Sequence, residues 1–264
     1  VMRRARSGMT PLWVRHAAVT LLDWSAMCGR YTLTTPLEAL RRLFDFPQSP
    51  NLAALYNIAP TSVVSVVRRN ESARELTAMR WGLVPSWAKE ISFGARTINA
   101  RAETIATKSA FRAAYVARRC LVPADGFYEW RNEGGVRQPY RITLPGGGPM
   151  GFAGLWERWR PRDAGAESTG AITSFTIVTV AALGAAAEIH DRMPLVLNPD
   201  DFDLWLAEGA LSANQAARVL SPRDMGFTLT RVGTRVNNVR NDDAACIEPD
   251  ANAPDRPAQG ALPL

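Results

Sequence analysis

The sequence predicts an α+β fold with a largely antiparallel β core. Short runs of β-branched and aromatic residues recur along the chain, which is the signature of strands. Helical windows fall between them at irregular intervals, without the strand–helix–strand alternation that builds a parallel sheet. The chain has 264 residues, 47% hydrophobic and 21% charged, close to globular averages and long enough for a substantial core.

Arg30–Leu33 alternates like a strand. Thr35, then Pro36 at a first helical position and Glu38, opens a short helix through Phe44. Gln48–Leu55 reads as a loop, Val63–Val67 as a β-branched strand, and Leu76–Val84 as a strand ending at Pro85. Glu103–Ala117 is expected to be mostly helical. Cys120–Val122, Gly126–Trp130 and Tyr140–Leu144 read as strands, with a hairpin turn at Glu133-Gly134-Gly135. Gly151–Leu155 and Phe175–Val180 are apolar strands around a surface loop at Pro161–Gly170. Pro199–Ala207 and Ser212–Leu220 are expected helices, and Phe227–Thr230 returns to strand. Gly146-Gly147-Gly148 lacks the lysine and flanking helix of a phosphate loop and reads as a hairpin tip.

Composition narrows the function classes. The longest apolar runs, such as Ala17–Leu22 and Phe175–Leu183, fall well short of a bilayer span, so no transmembrane helix is expected. Cys28, Cys120 and Cys246 are an odd set without CxxC or His-rich spacing. That argues against a disulfide framework and a structural zinc site, and no metal or cofactor is expected. The formal net charge is +6, and 29 of 31 basic residues are arginine. Arginine forks suit phosphate oxygens; a GC-rich coding bias accounts for the same composition. Half of the excess lies in residues 1–26, which carry Arg3, Arg4, Arg6 and Arg15 against Asp23. Any phosphate site is therefore a local patch and not a global field.

Residues 1–26 do not resemble the rest of the chain. Three readings stand for them: a secretory signal with a short apolar region, an over-extended start with translation beginning at Met27, or a propeptide cut before Cys28. Residues after Pro249, rich in Pro, Ala and Gly, read as a disordered tail over 249–264.

Met27-Cys28-Gly29-Arg30-Tyr31 is the most informative segment. If Met27 is the initiator and is removed, Cys28 becomes a 1,2-aminothiol with an α-amine of pKa roughly 7.7–8.0. Its amine forms an imine with an aldehyde, and its thiol then closes a five-membered thiazolidine. The alternative is a buried cysteine acting as a small hydrophobe. Asn99 and Arg101 share a face along an extended backbone; a turn asparagine beside a solvated arginine is the alternative. Glu129 lies between Tyr128 and Trp130, where apolar surroundings raise a carboxyl pKa and suit general acid–base work; an outward polar residue of a strand is the alternative. Outside residues 1–26, His190 is the one histidine, so imidazole chemistry falls to it.

Six ordered segments carry a family resemblance: Met27–Tyr31, Tyr56–Thr61, Arg80–Pro85, Ile98–Glu103, Ala124–Trp130 and Ile189–Pro194. Together they resemble the SRAP family, the SOS response-associated peptidases, from Met27 to about Ile247. The resemblance implies a single SRAP-type domain over 27–248, with a barrel-like β core and peripheral helices. It implies a monomer, cytoplasmic and nucleoid-associated when bound, whose partner is single-stranded DNA containing abasic sites. The implied activity is a covalent DNA crosslink that shields abasic sites in the DNA-damage (SOS) response. Lyase cleavage is an implied side reaction, and thiol autopeptidase (hydrolase) activity of Cys28 with His190 is the alternative. By the same resemblance Cys28 would be the nucleophile, Asn99 would orient the sugar aldehyde, Glu129 would shuttle protons, and His190 would assist ring opening and reversal. Arg30, Arg101 and Arg192 would hold phosphates, and Trp81, Trp87 and Trp130 would stack bases or wedge the strand, with core packing as the alternative for each tryptophan.

Overall fold

A computed structural model describes residues 28–71, 73–161 and 170–251. Residues 1–26 and 252–264, and most of the loop expected at 161–170, lie outside them. The chain runs β1 (Arg30–Leu33), α1 (Leu37–Phe44), β2 (Leu55–Ile58), β3 (Val63–Asn70), β4 (Ala73–Trp81), a 3-10 turn (Ile91–Arg96), β5 (Asn99–Arg101) and α2 (Arg112–Ala117). It continues through β6 (Arg119–Ala124), β7 (Gly126–Glu133), β8 (Val136–Thr143), β9 (Met150–Trp159), β10 (Ile172–Ala181) and α3 (Gly184–Ala187). The remaining elements are β11 (Arg192–Pro194), β12 (Val196–Leu197), α4 (Phe202–Leu206), α5 (Ala213–Leu220) and β13 (Thr228–Arg231).

The expected α+β class is observed. Strands β10, β4, β3, β6 and β9 pair in that order, and β9 pairs back onto β10, which closes a five-stranded barrel. Only the β10–β4 seam of this ring is parallel. A second, antiparallel sheet has the order β13-β8-β7-β1-β2. Alternation within its strands sends Tyr31 and Phe127 into the main core, where Tyr31 meets Trp81 and Phe152 edge-on at 5.2 and 6.0 Å. Tyr128 points the other way, into a smaller cluster with Val232, Val236 and Cys246.

Three segments depart from the sequence reading. Helix is confined to the last six residues of 103–117. Thr104 and Thr107 donate their hydroxyls to the carbonyls of Arg101 and Thr104, the local competition that keeps threonine out of helix interiors. Leu55–Ile58 is an edge strand, because its pairing partner, β1, is remote in sequence. The ordered domain also extends beyond 248: Pro249 bridges Val232, Asp250 N donates to Arg231 O, and the Asp250 carboxylate pairs with Arg231. By contrast, the helix expected at Ser212–Leu220 is present as α5, capped at its start by a box of Ser212 and Gln215.

Candidate active site at Cys28

Cys28 precedes β1 and lies beside β7, because β1 pairs with β7 in the register Arg30↔Tyr128. It is 3% exposed and adopts φ +42°, left-handed backbone that costs a non-glycine residue about 1–2 kcal/mol. Its N–H donates to Glu129 Oε1 at 2.5 Å. Its Sγ lies 3.8 Å from the Arg192 carbonyl. Burial, reinforced by the Glu129 carboxylate, holds the thiol well above its ordinary pKa, so it rests as the thiol.

Glu129 sits on the Phe127 face of β7 and is 4% exposed. Burial raises its pKa; the Cys28 donors and the nearby His190 oppose that rise. A carboxyl so placed holds a proton further toward neutral pH than a surface glutamate and can pass it to the nitrogen it touches. Asn99 opens β5, which pairs in parallel with β10, and its Nδ2 donates to the Cys28 carbonyl at 3.5 Å. His190 precedes β11. Its Nδ1 accepts from the Arg192 backbone N–H at 3.0 Å and lies 2.8 Å from Asp191 Oδ1. Only an Nδ1 lone pair can accept from that N–H.

The structure thus brings Cys28, Asn99, Glu129 and His190 around one point. It treats the three arginines differently. Arg192 forms a bidentate pair with Glu103 at 2.6 and 3.0 Å and donates to Thr179 O, while its Nε is buried without a partner among the described residues. Its backbone carbonyl and N–H face Cys28 and His190, and its partner Glu103 is half-exposed. Arg30 is 8% exposed, with Nη1 donating to Asn57 Oδ1 and Val236 O and its guanidinium 5.8 Å from the Trp130 ring. Among the described residues no carboxylate pairs with it, and its Nε and Nη2 make no hydrogen bond. Burial lowers its pKa to about 10, which leaves it charged at neutral pH. Arg101 is exposed on β5, two residues from Asn99.

The tryptophans divide as well. Trp81 is fully buried, and its Nε1 donates to Ile98 O. It is a core residue with no face for a base, which corrects the stacking expectation. Trp87 is 45% exposed and meets Phe93 edge-on at 5.1 Å. Trp130 is half-buried, with Nε1 held by Asn237 Oδ1.

Asn57 was not assigned a role by sequence reasoning. Its Oδ1 holds Arg30, and its Nδ2 donates to the carbonyls of Val236, Asn238 and Asn241. It ties the C-terminal segment over the outer face of β1 and β7. A polar side chain within Tyr56–Ile58 was the available signal. Among the described residues no group of three His, Cys, Asp or Glu converges as a metal site, and no helix is long and apolar enough to cross a membrane.

Residues 27–239 match the family model described as SOS response associated peptidase (SRAP). The chain belongs to the SRAP family. Among its relatives, the abasic site processing protein YoaM of Bacillus subtilis is 34% identical, across 84% of this chain and 98% of YoaM. The abasic site processing protein YedK of Escherichia coli is 32% identical, across 84% and 100%. The abasic site processing protein HMCES of Gallus gallus is 34% identical, across 84% and 78%. A crystal structure from Bacteroides thetaiotaomicron shares the SRAP fold seen here at a TM-score of 0.74 and 23% identity, covering 84% of this chain and 100% of that one.

Proposed function

We propose that this SRAP domain binds single-stranded DNA at abasic sites and links to the lesion covalently through Cys28. The observation that carries the proposal is the Glu129 carboxyl 2.5 Å from the Cys28 nitrogen, with the thiol in the same buried corner. The relatives' names, each an abasic site processing protein, support the substrate.

The chemistry requires Cys28 as the first residue of the working protein. The ring-opened abasic sugar presents an aldehyde at C1′, and in a single strand no partner base has to be displaced to reach it. The neutral α-amine adds to that carbon, and Glu129 hands a proton to the departing hydroxyl, so water leaves and an imine forms. The thiol then adds to the imine carbon. Its proton ends on nitrogen by way of Glu129, and the thiazolidine is complete with one water released overall. His190 serves as the acid–base partner for sugar ring opening, and the Asn99 amide holds Cys28 in place. Arg30, a buried cation with two free edges and no carboxylate, suits a phosphate, as does exposed Arg101. Trp87 and Trp130 offer partly exposed rings to flanking bases. An imine that escapes ring closure leads to β-elimination, a strand-cleaving lyase reaction.

The test uses protein initiated at Met27, whose removal exposes Cys28. Intact mass spectrometry checks the first residue. A denaturation-resistant adduct with an abasic oligonucleotide is expected, and Cys28→Ala is expected to abolish it. Normal crosslinking by Cys28→Ala would sink the proposal.

A second reading, self-cleavage before Cys28, is favoured by the left-handed Cys28 backbone and by the Glu129 carboxyl on its nitrogen. In it the thiol adds to the carbonyl of residue 27, Glu129 protonates the departing nitrogen, and water hydrolyses the thioester. No hydrogen bond joins Cys28 Sγ to His190, so Glu129 and not His190 is its proton carrier.

A further inference from the structure

Arg80 is a barrel cation without a counter-charge among the described residues. It lies on β4 next to core residue Trp81, and alternation turns its side chain to the outer face. It is half-buried. No hydrogen bond or ion pair joins its side chain to any described residue, and its Nη1 is buried without a partner. Burial lowers its pKa with no opposing charge nearby.

The surroundings explain why the guanidinium fits there. Gly82, at φ +113°, and Gly94 press backbone to backbone. A Cβ on either would come within 2.5 Å of the other's carbonyl oxygen. The same added carbons would lie 3.4 and 3.2 Å from Arg80 Nη1. Two bare backbones thus form a cradle beside the cation. Arg96, two residues beyond Gly94, is exposed, packs over the Phe93 ring at 5.0 Å, and has no carboxylate partner among the described residues. The segment then runs through Ile98, whose carbonyl accepts from Trp81, into Asn99 of the Cys28 site.

A half-buried cation without a counter-charge is costly in the free protein, and an anion that arrives removes that cost. We propose that Arg80, cradled by Gly82 and Gly94, forms with Arg96 a phosphate subsite that holds a diester of the bound single strand away from the Cys28 pocket. The proposal rests on the strand-binding reading above and adds a contact that plays no part in the covalent chemistry.

The test is Arg80→Met in the full chain, with affinity for an intact, non-abasic oligonucleotide measured across a salt series. Each phosphate neutralised on a single strand contributes about 0.7 to the slope of log K against log salt. Arg80→Met should lower affinity several-fold at low salt and lower the slope by about that amount. Its melting temperature without DNA should be unchanged or higher, since an unpaired cation has been removed. Arg80→Lys should keep the slope. Unchanged affinity and slope in Arg80→Met overturn the subsite, and so does a slope that Arg80→Lys fails to keep in a variant that melts lower. Adduct yield at saturating abasic DNA separates the two readings. If the wild type binds strands but forms no adduct, while Arg80→Met still loses slope, the subsite stands and the crosslink falls. If the wild type binds no strand, both fall.

Discussion

Asp125 and Glu129 are buried carboxyls four residues apart at the start of β7, 2% and 4% exposed, and they behave in opposite ways. Asp125 accepts from the Thr32 hydroxyl, from the backbone and hydroxyl groups of both Thr34 and Thr35, and from Arg141. Burial alone would raise its pKa, yet these donors hold it below the ordinary range. Glu129 has the Cys28 donors and little else, and burial wins. Burial therefore does not decide what a carboxyl does; the number of donors aimed at it does. The saturated one pins the turn from β1 into α1, and so the register that sets Cys28 against Glu129. The unsaturated one takes up a proton more readily than an ordinary glutamate.

The sharpest way to break this contrast is to remove each carboxyl. Asp125→Ala strands several donors and a partly buried Arg141, and should cost about 3–5 kcal/mol. In a domain of this size that lowers the melting temperature by roughly 10 °C or more. Glu129→Gln keeps the shape and removes the proton carrier. It should slow adduct formation by about 10²–10⁴-fold, while its melting temperature at pH 8 stays level or rises. A Glu129→Gln protein that melts far below wild type at pH 8 would make Glu129 a structural residue like Asp125.

The fold was legible where its signals are local. The strand at Arg30–Leu33, the Gly134-Gly135 hairpin and the helix from Ser212 depend on residues near in sequence, and all appear. What was not legible depends on remote pairing. The ring closes only because β9 meets β10, and Leu55–Ile58 is a strand only because β1 lies beside it. The site shows the same division. The contrast between Arg30 and Arg192 turns on where carboxylates fall in space: Glu103 reaches Arg192 from 89 residues away, and none of the described residues brings one to Arg30. Trp81 and Trp87 look alike in sequence, and only the tertiary core separates them.

Titration gives the next effect in size, because the two carboxyls tilt stability in opposite directions. Glu129 has a raised folded pKa, so its contribution is fully present below the unfolded value of about 4.3 and is lost as pH rises through the folded value. Asp125 has a lowered folded pKa, so its contribution is present above about 3.9 and is lost as pH falls. Melting curves from pH 3 to pH 8 should show the gain from Glu129→Gln growing toward high pH. The loss from Asp125→Asn should shrink toward low pH. Parallel profiles for the two variants would remove the distinction.

The smallest effect isolates what saturates Asp125. Arg141 reaches Asp125 Oδ1 at 3.2 Å, longer than the 2.5 Å bond from Thr32 to the same oxygen. If charge pairing kept this carboxylate ionised, Arg141→Met would cost nearly as much as losing Asp125. If the neutral donors do so, the carboxylate stays satisfied and the loss is about 1 kcal/mol. Thr34 and Thr35 place four donors on Oδ2, which Arg141 does not touch, so the smaller figure is expected. Urea unfolding of Arg141→Met beside Asp125→Ala measures the ratio directly. A loss above about 3 kcal/mol in Arg141→Met would mean that counter-charge, and not donor count, separates Asp125 from Glu129.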